Sequence, residues 1–494
     1  MIERAILPLP PGTVGRSTEW DSLVEFAGSE VNHATLGIVW GRRRIGKSYL
    51  LSQLCDHNGL YYEAVRGSAS EALGELGAAM AAAVGAPAPL DLPDWDAAIS
   101  ALMRLGRDRP FVVVLDEYPY LREQSPELDS IIQRAFGPRS PLRNETQCRL
   151  ILCGSAISVM SELLTGTAPL RGRAGLDMRI SPFDYRDALQ LYGTEDLRLA
   201  MHLYSIIGGV AAYARDMVDD DLPESMDELG DWTARRVLSP SAPLSREVEL
   251  LLSEDPTTSQ ARKVNLYHAT LAAIALGRRT PGRMADYVKI SGPRLDPILR
   301  SLVSAQFVDR LSDPIRDNRP TYHPGDPMIR FHYAVIRTNH SRLGRHGADL
   351  MALWEGLGDT FSSNVVGPTF ESMARHWLTY YADASPMADG PIHIGSTVTT
   401  VDGKEREVDL VVARDDGERI ADRSVAAIGE AESGEAITFS HLNRLEAIRR
   451  SLGSRGEDAS LVLVGSRFAE NLVNKTATRN DVELVDLDRL YHGR

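Results

Sequence analysis

The stretch LGIVWGRRRIGKS, residues 36–48, decides the fold of this chain of 494 residues. Its first five residues form an apolar run, and the pattern G-x4-G-K-S then leads into a helical pattern over residues 47–57. A glycine-rich loop between a strand and a helix lets backbone N–H groups surround phosphate oxygens at the positive end of the helix dipole. The stretch therefore predicts a phosphate-binding loop (P-loop) that binds ATP; the alternative is a chance match in an unrelated loop.

The residues of this loop are candidates for contact with the nucleotide. The pattern predicts that Lys47 reaches the β- and γ-phosphates and that the hydroxyl of Ser48 binds Mg²⁺. The candidate nucleotide-binding residues are Gly41, Arg42, Arg43, Arg44, Ile45, Gly46, Lys47, Ser48 and Tyr49. Whether the three arginines face solvent or a partner is left open by the sequence.

Two further apolar runs end in polar residues suited to the same site. FVVVLDE, residues 111–117, is typical of a buried parallel strand, and its last residues emerge towards a ligand crevice. Asp116 is predicted to hold Mg²⁺ and Glu117 to polarise the attacking water, unless the strand is acidic at its end by chance. The run LILCGS, residues 150–155, ends in Ser155, either a sensor of the γ-phosphate or an ordinary serine after a strand.

Strand and helix patterns alternate over the first third of the chain. The strand candidates are residues 36–40, 61–67, 111–117 and 150–155, and helical patterns cover residues 70–84, 94–106 and 126–136. This alternation predicts a doubly wound α/β domain with a parallel sheet. Residues 183–260 are mostly helical in pattern and are expected to form a lid, which Gly208 and Gly209 would let approach closely.

A different pattern covers residues 265–345. Helical stretches at 266–276, 281–289 and 293–305 precede FVDRL and PTYHP, a predicted hairpin. Three helices and a hairpin predict a winged helix, in which residues 291–303 would be the recognition helix with Arg294 and Arg300 exposed. A basic winged helix favours contact with DNA; the alternative is a module that packs against protein.

The distribution of charge favours contact with nucleic acid through one segment of the chain rather than through its whole surface. The whole chain carries −14, which argues against a protein that coats nucleic acid. Residues 262–345, however, contain 15 Lys and Arg against six Asp, a net charge of +9, so the remainder carries −23. The acidic remainder is an alternative to DNA as the partner of the basic segment, because the basic segment could dock against it within the protein.

Composition excludes several other classes. The three cysteines, Cys55, Cys148 and Cys153, lack metal-ligand spacing and cannot form a disulfide framework. The amino-terminal residues lack the long apolar stretch of a signal peptide, and residues 72–90 are too rich in alanine, with Glu75, to predict a membrane span. We therefore expect a cytoplasmic protein without a membrane partner.

The last segment starts near residue 362 and predicts a third α/β unit. Its order is helix 367–381, strand 391–400, a turn at Asp402-Gly403, strand 405–413, strand 425–431, helix 438–451 and strand 460–465.

Several further elements resemble the archaeal-type P-loop ATPases, a family related to the AAA+ and STAND proteins. Besides the P-loop and Asp116-Glu117, they are Gly15-Arg16-x-x-Glu19, Gly154-Ser155, the stretch Pro169–Arg173 with ISPFDYRDA (180–188), Ile207–Tyr213, and DPMIRFHY within residues 321–336. The resemblance implies four domains: an ATPase core over 1–182, a helical lid over 183–261, a winged helix over 262–345 and a domain like PD-(D/E)xK nucleases over 346–494. It also implies that Arg173 stabilises the γ-phosphate, in cis or from a neighbouring subunit of a homo-oligomer.

The nuclease-like domain implies a second metal site. Asp409 and Glu430 would hold Mg²⁺ there, with Glu371 as an accessory ligand. The family pattern places lysine where this chain has Glu432, and a glutamate cannot supply the positive charge, so a degenerate interaction domain is favoured over a nuclease.

Three functions follow as hypotheses. The first is a Mg²⁺-dependent ATPase that couples its nucleotide state to a winged helix binding DNA or a protein partner. The second is a metal-dependent nuclease regulated by ATP, and the third is a nucleotide switch in a signalling scaffold that does not hydrolyse ATP.

Overall fold

A five-stranded parallel sheet forms the centre of the amino-terminal part of the protein. The computed structural model describes residues 7–166, 168–255, 264–383 and 392–494. The elements of this part are α1 (Ser17–Ala27), β1 (Thr35–Trp40), α2 (Lys47–Asn58), β2 (Gly59–Glu63), α3 (Ala69–Val84), α4 (Trp95–Arg104), β3 (Phe111–Asp116), α5 (Tyr118–Gln124), α6 (Leu128–Ala135), α7 (Pro141–Glu145), β4 (Cys148–Gly154), α8 (Ile157–Glu162) and β5 (Ala174–Arg179). The strand order is β2-β3-β4-β1-β5, with every neighbouring pair parallel.

The predicted doubly wound α/β sheet is therefore confirmed. Its central strands β3 and β4 are almost fully buried, as their continuous apolar runs indicate. The strand predicted at 61–67 occupies Gly59–Glu63 instead. Strand β5 was not predicted, because AGLDMR at the sheet edge alternates polar and apolar residues and lacks such a run.

The chain divides into two units. The first contains Met1–Pro182, Val210–Ala212 and Leu251–Ser259, and the second contains Phe183–Gly209, Tyr213–Leu250 and Gln260–Arg494. The predicted lid, winged helix and carboxy-terminal domain thus fall largely within one unit, and the boundaries between them stay a prediction. None of the helices in the described parts is long and apolar enough to cross a membrane.

Helices open the second unit. They are α9 (Tyr185–Tyr192), α10 (Leu197–Ile207), α11 (Ala211–Ala214), α12 (Leu229–Thr233) and α13 (Glu247–Glu254), with a π-helical turn at Ala234–Leu238 and a 3-10 turn at Pro243–Arg246. The start of α11 and the end of α13 belong to the first unit. A Cβ on Gly209 would lie 1.8 Å from the carbonyl oxygen of Phe183, so the close approach that glycine allows here is to the start of this same unit.

The winged-helix segment has the expected order of elements. It comprises α14 (Val264–Ala275), α15 (Pro281–Val288), α16 (Gly292–Ser304), β6 (Val308–Leu311) and β7 (Thr321–Pro324), and β6 pairs with β7 in antiparallel fashion. Helix α16 buries Leu295, Ile298, Leu299 and Leu302 and leaves Arg294 and Arg300 exposed. Arg262 and Lys263 lie outside the described residues.

Short helices connect this segment to a mixed sheet. They are α17 (Pro327–Phe331), α18 (His340–Leu343), α19 (Leu350–Glu355), α20 (Gly358–Phe361) and α21 (Gly367–Tyr380), with π-helical turns at His332–Ile336 and Ser362–Val366 and a 3-10 turn at Arg337–Asn339. The rest comprises β8 (Ile392–Val401), β9 (Lys404–Arg414), β10 (Val425–Glu432), α22 (Phe439–Ser451), β11 (Ser460–Gly465), α23 (Glu470–Thr476), β12 (Val482–Val485) and α24 (Leu487–His492), with 3-10 turns at Ile420–Asp422 and Gly453–Arg455.

The sheet order is β12-β11-β10-β9-β8, antiparallel from β8 to β10 and parallel from β10 to β12. The predicted elements of this domain are present in the predicted order, and Asp402 and Gly403 turn with positive φ of 49° and 74°. The elements after residue 465 were not predicted.

Candidate active site

The backbone of the P-loop takes conformations that favour glycine. Gly41 has a φ of 153° and Gly46 a φ of 94°. A Cβ at residue 41 would lie 2.1 Å from the carbonyl oxygen of Ile180. The loop therefore packs closely against the segment after β5, and a larger residue at 41 would displace it.

Lys47 begins α2 and points into this loop. It is 6% exposed, and its Nζ donates to the carbonyl oxygens of Gly41 at 2.8 Å and Arg42 at 2.7 Å. Burial lowers the pKa of Lys47, although Cys153 and other nearby acids act in the opposite direction. The ammonium thus lies within the loop, where phosphate oxygens can take over as its acceptors.

Asp116 ends β3 and accepts hydrogen bonds from uncharged donors. Ser48 Oγ donates to its Oδ2 at 2.6 Å, Tyr61 donates to the same oxygen at 2.5 Å, and the N–H of Glu117 donates to Oδ1 at 2.8 Å. Burial would raise the pKa of Asp116, but hydrogen bonds from Cys153, Ser48 and Tyr61 hold it below its ordinary value. The carboxylate therefore stays ionised, as a magnesium ligand must be.

Tyr61 and Cys153 are contacts that the sequence reasoning missed. Tyr61 lies on β2 and Cys153 on β4, the two strands that flank β3. Parallel strands bring their carboxyl ends to one edge, so the signal was present in the two strand candidates. These contacts with Asp116 can be inferred only once the strand order β2-β3-β4 is known.

Glu117 has left-handed backbone geometry, with a φ of 50°. Ser155 Oγ donates to both of its carboxylate oxygens, at 2.9 and 3.0 Å. Arg43 Nε lies 4.0 Å from Glu117 Oε1. Ser155, predicted as a sensor of the γ-phosphate, therefore orients the carboxylate that is predicted to activate water.

The three loop arginines have different surroundings. Arg42 is buried, Arg43 forms an ion pair with Glu254 at 2.5 Å, and Arg44 is exposed with a φ of 68°. The neighbouring Ile45 is buried and Tyr49 is 44% exposed, with its hydroxyl donating to Pro11 at 3.3 Å. Arg43 is thus paired with Glu254 and lies close to Glu117.

Arg16 supports the P-loop from outside. One nitrogen of its guanidinium, Nη2, donates to the carbonyl oxygens of Ile45 at 3.2 Å and Ser181 at 2.7 Å, while Nη1 bonds Glu19 at 2.7 Å. The Gly-Arg-x-x-Glu element noted in the sequence therefore fastens the loop to the segment after β5.

Arg173 lies at the other end of the sheet. It immediately precedes β5, whose first residue, Ala174, is level with Leu36 near the start of β1. The P-loop follows the opposite end of β1, about 15 Å away at the rise of a strand. This geometry contradicts a contact between Arg173 and a nucleotide on the same chain; the contact across a subunit interface stays a prediction.

The carboxylates of the second predicted metal site lie beside arginines. Arg279 of the winged-helix segment contacts Glu371 at 3.1 Å, and Arg375 contacts the same carboxylate at 3.8 Å. Arg444 pairs with Glu430. Glu432 accepts the N–H of Gly434 at 3.2 Å.

Asp409 lies half-buried close to this cluster, and its Oδ2 accepts the N–H of Ala431 at 3.1 Å. Burial and the neighbouring Glu371 raise the pKa of Asp409 to about 7. Within the described ranges, no group of three or more His, Cys, Asp or Glu side chains is placed to hold a metal ion. The arrangement therefore argues against the predicted metal centre at Asp409 and Glu430, because cations already balance the charge of the cluster.

The parallel sheet, the P-loop and the paired acids on β3 define the class of this protein as a P-loop ATPase. Residues 14–209 match a family described as an ATPase domain predominantly from Archaea. The matched residues include the P-loop and the two acids at the end of β3.

Similarity to known proteins extends beyond that domain. An uncharacterized protein of Methanocaldococcus jannaschii is 26% identical over 378 residues, 74% of this chain and 77% of the other. The Walker-type ATPase of Pyrococcus abyssi is similar in structure, with 21% identity, a TM-score of 0.48 and coverage of 65% of this chain and 96% of that one. The ORC2 protein of Aeropyrum pernix, solved as ADPNP–ADP complexes, has 14% identity and a TM-score of 0.44 over 72% and 96%.

Proposed function

We propose that the protein is a Mg²⁺-dependent ATPase whose reaction takes place between the P-loop and the end of β3. The observation that carries the proposal is the contact of Ser48 Oγ with Asp116 Oδ2 at 2.6 Å, next to the inward-pointing Lys47. Together they place two oxygen ligands and one ammonium at the positive end of α2.

The donor set fits magnesium. Mg²⁺ prefers hard oxygen ligands, and Ser48 and Asp116 would hold it through a hydroxyl and an ionised carboxylate. When bound, the ion neutralises charge on the phosphates. Lys47 binds the β- and γ-phosphates beside it.

Glu117 is the proposed base. Its carboxylate accepts a proton from the attacking water, and Ser155 holds both of its oxygens in place for that step. Arg173 would contribute to a nucleotide held by a neighbouring subunit, which requires a homo-oligomer.

The test compares Glu117→Gln with the wild type. The variant should bind ATP within about 3-fold of the wild-type affinity, while turnover falls about 100- to 1,000-fold, because the amide cannot accept the proton. Glu123→Gln, an exposed glutamate on α5, is the matched control. Turnover retained by Glu117→Gln would reject the proposed base, and undetectable turnover in the wild type would favour a non-hydrolysing switch.

A second function, DNA binding by the winged-helix segment, is supported by its exposed charge. Within residues 264–345, ten basic side chains are exposed against four acidic ones. The exposed basic residues are Arg278, Arg283, Lys289, Arg294, Arg300, Arg310, Arg319, Arg337, Arg342 and Arg345. The half-buried Arg279 and Arg316 and the buried Arg330 are the exceptions, and Arg279 contacts the acidic cluster described above. Most of the positive charge is thus available to a phosphate backbone.

The test measures duplex DNA binding at several salt concentrations. Arg294→Ala should weaken binding uniformly across sequences and reduce the salt slope by about 1, the value for one lost phosphate contact. Arg198 is an exposed arginine on α10, and Arg198→Ala should leave both the affinity for DNA and the salt slope unchanged. ATP turnover measured with and without the same DNA shows whether the two functions are coupled; equal loss for both variants would reject binding through α16.

A further inference from the structure

Arg43 joins two carboxylates that belong to different parts of the chain. Its Nη1 lies 2.5 Å from Glu254 Oε1 and its Nε lies 4.0 Å from Glu117 Oε1. Arg43 sits inside the phosphate-binding loop, between Gly41 and Gly46. The side chain that holds Glu254 is therefore also one that phosphate oxygens would approach.

Glu254 is the last residue of α13, which changes units along its length. Residues from Leu251 onward belong to the first unit with the P-loop, and residues up to Leu250 belong to the second. Leu251 and Leu252 are buried at 8% and 3%, so the end of this helix is packed. The ion pair with Arg43 ties this packed end to the nucleotide site.

The ion pair is of a kind that a phosphate can displace. The side chains of Arg43 and Glu254 are 33% and 40% exposed, and ion pairs this open to water are weak. A γ-phosphate carries more charge than one carboxylate and accepts two parallel hydrogen bonds from a guanidinium. ADP lacks that group and offers Arg43 no equivalent competitor.

We propose that Arg43 couples the presence of the γ-phosphate to α13. With ADP bound, Arg43 keeps its ion pair with Glu254. With ATP bound, Arg43 moves away from Glu254 and Glu117 and contacts the γ-phosphate. This rests on the proposed binding of ATP at the P-loop. The exchange frees the end of α13 only in the ATP state. A ligand shifts the equilibrium between two conformations through a difference of this kind in its contacts with them. It also removes a cation from beside the proposed base.

The experiment measures dissociation constants for ADP and for a non-hydrolysable ATP analogue. Glu254→Gln removes the competitor of the γ-phosphate and should tighten binding of the analogue about 5-fold, the lower range of coupling between sites. Arg43→Gln should weaken it about 10-fold, the loss of a charge-assisted contact. Glu254→Gln should bind ADP as the wild type does, whereas Arg43→Gln should lose less affinity for ADP than for the analogue. Far-UV circular dichroism spectra like that of the wild type would show that both variants are folded.

Two controls make the result specific. Glu249→Gln lies on the same helix but contacts Arg337 at 3.8 Å, and it should change neither constant. In the Arg43→Gln background, Glu254→Gln should have no further effect. An equal change for both nucleotides, or an effect of Glu254→Gln that persists without Arg43, would overturn the inference. Failure of the wild type to bind ADP would instead overturn the proposed function.

Hydrogen exchange supplies a readout other than affinity. Backbone amides of residues 251–255 should exchange faster with the ATP analogue than with ADP in the wild type. The difference should vanish in Arg43→Gln. Equal exchange with both nucleotides in the wild type, with binding intact, would also overturn the inference.

Discussion

Asp116 and Asp409 are carboxylates on strands, one in each five-stranded sheet, and they differ in what surrounds them. Asp116 accepts hydrogen bonds from a serine, a tyrosine and a cysteine, and its pKa is lowered despite burial. Asp409 has a carboxylate neighbour, Glu371, and its pKa is raised to about 7. Neutral donors thus keep one carboxylate ionised, whereas burial and a like charge favour the protonated form of the other.

The difference separates the proposed nucleotide site from a cluster of acids paired with arginines. Around Asp116 the hydrogen-bond donors are uncharged, and the proposed Mg²⁺ would add positive charge beside Lys47. Around Asp409 the acids are balanced by Arg279, Arg375 and Arg444. The sequence alone therefore does not assign a function to a carboxylate at a strand end, because the groups that the fold places around it decide its charge.

The largest expected effect is at the nucleotide site. Lys47→Ala removes the ammonium inside the P-loop and should make ATP binding undetectable, with turnover at least about 100-fold lower. Isothermal titration calorimetry with ATP measures binding, and a phosphate-release assay measures turnover. Lys404→Ala, at an exposed lysine on β9, should behave as the wild type does. Normal turnover in Lys47→Ala would remove the basis for treating Asp116 as part of an active site.

A second prediction concerns the sign of a stability change in the acidic cluster. Glu371→Gln leaves Arg279 and Arg375 without their shared carboxylate and should lower the free energy of unfolding by about 2–4 kcal/mol. Glu407→Gln should lower it by less than about 0.5 kcal/mol, because that side chain is 60% exposed. Chemical denaturation in the presence of EDTA measures the free energy of unfolding of both variants. If the cluster were a metal centre, removing one acid without metal would relieve repulsion and raise the stability instead.

The last prediction is a pH dependence of stability at Asp409, which has the smallest effect when it is counted per pH unit. An unfolded Asp ionises near its ordinary pKa of 3.8, whereas folded Asp409 keeps its proton up to about pH 7. The wild type should therefore lose stability relative to Asp409→Asn as the pH rises from about 4 to 7, by at most about 1.4 kcal/mol per pH unit, and the difference should level off above pH 7. Denaturant midpoints of the two proteins at pH 5, 6, 7 and 8 test this. A difference that is constant with pH would show that Asp409 is ionised in the fold like Asp116.

The local predictions from the sequence succeeded where a pattern spans adjacent residues. The loop from Gly41 to Ser48, the apolar strands before Asp116 and Ser155, and the Asp402-Gly403 turn are each encoded within a few residues. Strand β5 was missed because an edge strand needs no continuous apolar run.

Partnerships between distant residues were decided only by the tertiary structure. Sequence alone determined that this chain has a phosphate-binding loop and paired acids after a buried strand, because backbone conformation and hydrophobic periodicity are local properties. It could not show that Ser155 holds Glu117, that Arg43 faces Glu254, or that Arg279 neutralises Glu371. Those contacts join residues 38, 211 and 92 positions apart, and the electrostatics of a carboxylate depend on which of them the fold brings within a few ångströms.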